Sequence, residues 1–196
     1  MPRIMTALTT TCLALVALTL YGQDREFVEA KISEWKQVVA KNPRDFETLT
    51  AIGSAYGKLG RHDTALEYFE KAIAANPKYA AAYLGKAASY GFLDRDEEKI
   101  AACKKAIALE PDNAEGYANL GSALGKSGKH KEAAEALKEA VRLKPTFALA
   151  QFALGLAYVS LADKDLAIKQ SQTVDRLDPA LAKELREAIA AIGAKK

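Results

Sequence analysis

Apolar residues recur at the same places in successive stretches of 34 residues, and prolines 43, 77, 111, 145 and 179 keep that spacing. Within each stretch, one apolar set falls at positions 4, 7, 8 and 11, and a second at positions 20, 21, 24, 27 and 28. Both sets have the 3–4 spacing of a single buried helical face. The pattern predicts two helices per stretch, with the proline ending the second helix.

This spacing defines four full units, at 46–79, 80–113, 114–147 and 148–181. Position 8 of each unit is small, which indicates that a neighbouring helix crosses closely there; it is occupied by Gly53, Ala87, Gly121 and Gly155. Between the two helices of a unit lie turn residues such as Gly60 and Gly128, which are suited to a left-handed helix cap. Each unit is therefore predicted to be a helical hairpin.

Both ends of the repeated region fit the same scheme. Residues 24–43 match the second half of a unit, with Trp35 in the place of Phe69, and predict a single half-repeat helix. Residues 182–196 predict a capping helix and tail, in which Leu185 and Ile189 face inward and the outer face is charged, as the end of a repeat array requires. The expected total is ten helices and no strands.

The first 22 residues have a different character. They carry one charge, Arg3, followed by an apolar run over residues 4–20, and no acid precedes Asp24. A basic start before an apolar stretch is typical of a secretory signal. The run is also close to the length of about 20 residues that spans a bilayer, so a retained membrane anchor is the alternative. Either interpretation predicts export to a bacterial-type periplasm or other extracytoplasmic space, with a tether through residues 4–20 if the segment is retained.

The unit at 46–79 resembles the tetratricopeptide repeat (TPR) family. The residues that carry the resemblance are Leu49, Ile52, Gly53, Tyr56, Ala65, Phe69, Ala72 and Pro77. The resemblance covers about residues 46–181, and the departures are Lys99 and Cys103 in the second unit and Ser171 in the fourth. It implies an all-α, right-handed superhelical solenoid of helix-turn-helix repeats whose concave groove holds peptides.

Composition and candidate chemistry argue against an enzyme. The formal net charge of +3 is too small for a nucleic-acid footprint. His62 and His130 lie on separate turns, are expected to be exposed, and cannot share a metal. Cys103 occupies a buried position with no histidine in its unit, so it lacks the base that a nucleophile needs. We therefore predict no catalytic residues, no metal and no cofactor.

Positions 2, 5, 9 and 12 of each first helix form a second stripe, which lines the groove in the family. In the fourth unit this stripe is wholly apolar, and a helix that is apolar on two faces must bury both. The predicted partner-binding residues are Leu84, Phe92, Asn119, Ser122, Leu149, Phe152, Leu156 and Val159.

These residues predict an adaptor or scaffold that binds peptide or helix segments of other proteins. Two alternatives stay open. The capping helix could cover the stripe, or the stripe could mediate a homodimer, which would make the protein a self-assembling structural TPR protein without a separate ligand.

Overall fold

The computed structural model describes residues 24–193, and the predicted signal or anchor segment lies outside them. Every described element is a helix, which confirms the predicted all-α class for this part of the chain. The ten helices are α1 (24–41), α2 (Phe46–Lys58), α3 (His62–Ala75), α4 (Ala80–Phe92), α5 (Asp96–Leu109), α6 (Ala114–Lys126), α7 (His130–Leu143), α8 (Ala148–Ser160), α9 (Lys164–Leu177) and α10 (Pro179–Gly193).

The chain divides into two compact units, one ending at Ala75 and the other beginning at Asn76. The first unit contains α1 to α3. Its core is built from Ile32 of α1, Ile52 and Tyr56 of α2, and Phe69 of α3, and Trp35 packs against that core from the side. The half-repeat helix thus shares a core with the first full repeat, as the apolar pattern predicts.

The second unit contains α4 to α10. Each first helix packs against the second helix of its own repeat, α4 on α5, α6 on α7 and α8 on α9, and α10 packs against both α8 and α9. The larger core cluster joins Leu137 of α7, Leu154 of α8, Val174 of α9 and Leu185 of α10. The last helix therefore belongs to the core of this unit.

The turns within the repeats require left-handed backbone. Gly60 and Gly128 have φ angles of +73° and +75°, as the sequence predicts, and non-glycine residues take the same conformation in the other two repeats, with Asp94 at 56° and Ala162 at 57°. A side chain in this region is strained because its Cβ crowds the following carbonyl. Two of the four turns thus carry a backbone penalty.

The prolines differ in role. Pro77, Pro111 and Pro145 lie in the turns that follow α3, α5 and α7. Pro179 is instead the first residue of α10, which begins before the predicted residue 182. Proline is well tolerated at a first helical position, because its missing N–H has no partner there in any case.

Candidate partner-binding cleft

A cleft of about 260 Å³ opens between α6 and α8 in the second unit. Its walls come from the first helices of the third and fourth repeats, and its floor from α7. The lining residues are Gly121, Ser122, Gly125, Lys126, His130, Ala133, Leu137, Ala153, Leu156, Ala157 and Ser160.

Small residues keep the cleft open. A Cβ added at Gly121 would lie 2.5 Å from Leu137 Cγ, and one at Gly125 would lie 3.8 Å from Ala133 Cβ. Helices α6 and α7 can therefore approach closely, and the walls carry little side-chain bulk. Leu137 is 1% exposed, so the floor of the cleft is the core itself. An apolar side chain entering here would replace water against an already packed surface.

The rim of the cleft is polar. Ser122 and Ser160 are exposed, and His130 is half-buried at the start of α7. Lys126 Nζ donates to Asp94 Oδ1 at 2.5 Å and lies 3.5 Å from Asp96 Oδ2. The hydrogen bond raises the pKa of Lys126 and lowers the pKa of Asp94. The cleft thus pairs an apolar floor with hydroxyl, imidazole and ammonium groups that can hydrogen-bond a peptide.

Two of the sequence-predicted residues, Ser122 and Leu156, line this cleft. Phe152 and Val159 are half-buried and pack against the core of the second unit. Leu149 is 62% exposed on the first turn of α8.

The remaining predicted residues lie on α4 and α6. Phe92 is 73% exposed at the end of α4, and Asn119 is half-buried on α6. Leu84 Cδ2 lies 3.6 Å from where a Cβ on Gly116 would stand. Leu84 therefore helps to pack α4 on α6, and it does not line the cleft.

Several lining residues lie outside the sequence-predicted set. The prediction that His62 and His130 are exposed turn residues is wrong, because each is the half-buried first residue of a helix, α3 and α7. His130 also lines the cleft. Ala153 and Ala157 sit between the core stripe and the groove stripe and carry no chemical signal of their own. In the sequence, the one indication that His130 lies in the cleft is its position just after the turn that follows α6.

Cys103 is fully buried, and burial raises the pKa of its thiol to about 11. Residues 24–193 hold no cluster of three or more histidine, cysteine or acidic side chains that could bind a metal. None of the described helices has the length and apolar character needed to cross a membrane.

Family models described as tetratricopeptide repeat or TPR repeat match residues 46–79, 80–113, 102–135, 123–161 and 148–181. These matches together span most of the chain. No curated protein matches the chain with significant sequence similarity.

Several solved structures are similar to the chain. A crystal structure of MamA is 28% identical, with a TM-score of 0.70, over 82% of this chain and 88% of that one. TTC0263 of Thermus thermophilus, a thermophilic TPR protein, is 24% identical, with a TM-score of 0.66, over 89% and 94%. YrrB, a TPR protein with an unusual peptide-binding site, is 20% identical, with a TM-score of 0.68, over 82% and 93%. The last two likenesses concern the fold alone.

Proposed function

Because the chain belongs to the tetratricopeptide repeat family, we propose that it is a non-enzymatic adaptor that binds a segment of a partner protein between α6 and α8. TPR repeats typically serve as scaffolds for protein interactions. The observation that carries the proposal is the cleft whose floor is the buried side chain of Leu137 and whose rim is polar.

The ligand that fits this cleft is a peptide segment with an apolar anchor. Burying apolar surface contributes about 25 cal/mol per Å², and part of this is offset by the ordering of the peptide. Ser122, Ser160 and His130 can hydrogen-bond the peptide backbone beside the anchor. The apolar anchor of the peptide supplies the affinity, and hydrogen bonds to the polar rim of the cleft set the orientation of the peptide.

A second candidate function is self-assembly into a homo-oligomer without a separate ligand. It is favoured by two large apolar side chains that lie outside the cleft, Phe92 at 73% and Leu149 at 62% exposure, because exposed apolar patches mark interfaces. The two functions differ in one measurement. A self-assembling protein changes its apparent mass with concentration in light scattering, and that change is lost in Leu149→Asp.

The proposed place of action is outside the cytoplasm. The support is the sequence of residues 1–22, in which Arg3 precedes the uncharged apolar run of residues 4–20. The mass of the protein recovered from its native cells tests this, because cleavage near Gly22 removes the run, while a retained anchor keeps the full mass and fractionates with membranes. Full-length protein in the soluble cytoplasmic fraction would contradict export.

The binding test uses Ser122, because its side chain is exposed and lines the cleft, whereas Phe152 packs on the core. Peptides selected from a displayed library against the full chain should lose affinity at least tenfold for Ser122→Trp, whose indole fills the cleft. The matched control is Gln172→Trp on an exposed face of α9, which should bind normally. Equal binding by both variants would remove the cleft from the proposal.

A further inference from the structure

The first unit contains a second groove, of about 270 Å³, between α1 and α2. It is formed by apolar residues of both helices and by one lysine from each. The lining residues are Phe27, Val28, Lys31, Trp35, Ala51, Ser54, Ala55 and Lys58. This groove shares no lining residue with the cleft between α6 and α8, and its role is independent of the function proposed for that cleft.

The position of this groove in the repeat explains its shape. In the second unit, α4 packs against both α5 and α6, and α6 packs against both α7 and α8. Helix α1 is the counterpart of α5 and α7, and α2 is the counterpart of α6 and α8. The groove between α1 and α2 is therefore the place that the first helix of a repeat occupies elsewhere, and its lining comes from α1 and α2 alone among the described residues.

The apolar side chains along α1 are left partly uncovered. Phe27 is 65% exposed, Val38 is 41% exposed and Trp35 is half-buried. In the first and third repeats, the residues in the place of Trp35 are Phe69 and Leu137, which are 2% and 1% exposed under their own first helix. Helix α1 thus carries apolar side chains like those that a first helix covers in the repeats, but no described helix covers them.

Among the described residues, the turn that precedes the second helix of a repeat is not kept at α1. Helix α3 begins at His62, and the residue 34 positions earlier is Val28, but α1 already begins at residue 24. The residues that would form the turn of the missing hairpin, 25–27, are helical. The apolar run over residues 4–20 also contains no charged side chain, so it offers nothing to the two lysines of the groove.

The charges of the groove specify its occupant. Lys31 and Lys58 line it, and no carboxylate does; Lys31 also donates to Glu34 on α1 at 2.8 Å. Helices α1 and α2 are joined by residues 42–45 and run in opposite directions, so a helix packed antiparallel to α1 ends beside Lys58, the last residue of α2. A carboxylate in the last turn of such a helix can form a charge-assisted hydrogen bond with Lys58.

A helix that occupies the groove must also cross Trp35, and this limits the size of its central residue. Where a first helix crosses Phe69 or Leu137, it carries a glycine, and an added Cβ would lie 2.8 Å from Phe69 Cε1 or 2.5 Å from Leu137 Cγ. A helix crossing the larger indole at the same spacing also needs a small residue there. The occupant is thus amphipathic, small at its midpoint and acidic near its end.

We propose that this groove receives an amphipathic helix of a partner protein, which completes the first repeat of the array. The helix is about 13 residues long, like the first helices of the repeats. It presents Gly or Ala to Trp35 and places Asp or Glu in its last turn, beside Lys31 and Lys58.

Photo-crosslinking identifies the occupant. A photoreactive phenylalanine analogue replaces Phe27 in the full chain, expressed in its native cells as a mixture of isotopically light and heavy copies, with the same analogue at Gln172 as control. The expected product joins position 27 to one segment of another protein that has a helical apolar face, a small central residue and a terminal acid. The proposal is overturned by products with residues 1–23 of the same chain, with a second copy or with lipid, or by yields no higher than at position 172.

A synthetic peptide of the captured segment then gives the quantitative test. Trp35 is the only tryptophan in the chain, so its emission should shift to the blue as the peptide covers it. Lys58→Glu should weaken binding about tenfold, and a peptide whose terminal acid is changed to lysine should restore it. Lys41→Glu, at the exposed end of α1 outside the groove, is the matched control. Equal affinity of the Lys58 and Lys41 variants, or an unchanged Trp35 emission, would contradict the assignment.

Discussion

Gly155 of α8 lies directly beneath the side chain of Leu185 of α10, and a Cβ on Gly155 would overlap that leucine. In the first and third repeats, the corresponding glycines face Phe69 and Leu137 of the second helix of their own repeat. The fourth repeat has the small Ser171 in that place, and its hydroxyl donates to the carbonyl of Ile168. The last helix therefore supplies the apolar side chain that the fourth repeat lacks.

Removing the Leu185 side chain should weaken the whole second unit. Leu185 is fully buried, and burial of this kind makes a Leu→Ala change cost about 2–5 kcal/mol, from lost transfer energy and the cavity left behind. Leu185→Ala should lower the free energy of unfolding by that amount in urea denaturation. The control is Leu166→Ala on α9, which is 40% exposed and should cost clearly less. Equal losses in both variants would mean that α10 contributes nothing specific to the fourth repeat.

The close crossing of α6 and α7 can be tested with a single methyl group. In Gly121→Ala the new Cβ would stand 2.5 Å from Leu137 Cγ and 3.1 Å from the carbonyl oxygen of Ala133, so packing must shift, at a cost of about 1–3 kcal/mol. Gly57→Ala makes the same change in α2 with no atom within 4 Å. It should raise stability by up to about 1 kcal/mol, because alanine favours helix over glycine. Thermal unfolding of the two variants should therefore move in opposite directions.

The left-handed turn of the fourth repeat offers a stabilising change. Ala162 has a φ of 57°, where a Cβ costs about 1–2 kcal/mol, while glycine loses roughly 0.5–1 kcal/mol through the freedom of the unfolded chain. Ala162→Gly should raise the free energy of unfolding by up to about 1 kcal/mol, and the melting temperature with it. Ala88→Gly, at an exposed position inside α4, should lower stability by about 1 kcal/mol. A loss of stability in both variants would show that the turn is not strained.

The repeat spacing accounts for the parts of the structure that were predictable. Apolar positions recurring at helical spacing located α2 to α9, and glycines 60 and 128 have the left-handed conformation expected of them. Tyr56, Tyr90 and Tyr158 are buried, at 7–8% exposure, as their shared phase predicts. These features are local or nearest-neighbour properties, so the pattern of one repeat is enough to place them.

The features that could not be predicted depend on contacts between helices that are distant in the sequence, and the apolar pattern of a single repeat does not contain them. Leu185 has the phase of the first core residue of a fifth unit, but that phase does not reveal that its side chain packs on Gly155 of α8. His130 lines the cleft because the turn after α6 returns it towards α8, whereas its charged sequence neighbours suggest solvent. Phe152 belongs to the groove stripe by phase but packs against the core of the second unit. In each case a helix from elsewhere in the chain determines the environment of the residue.

Burial of Cys103 should make stability depend on pH in the alkaline range. Burial raises the pKa of its thiol from 9.0 to about 11, against a smaller opposing effect of Lys99. Above pH 9 the unfolded chain releases the thiol proton while the folded chain retains it, so the free energy of unfolding falls as the pH rises towards 11. The slope from this group is at most about 1.4 kcal/mol per pH unit. Urea titrations of the parent chain and of Cys103→Ala between pH 8 and 10 should show the additional fall only in the parent, because the lysines titrate equally in both. Parallel curves would mean that the buried thiol ionises in the folded protein.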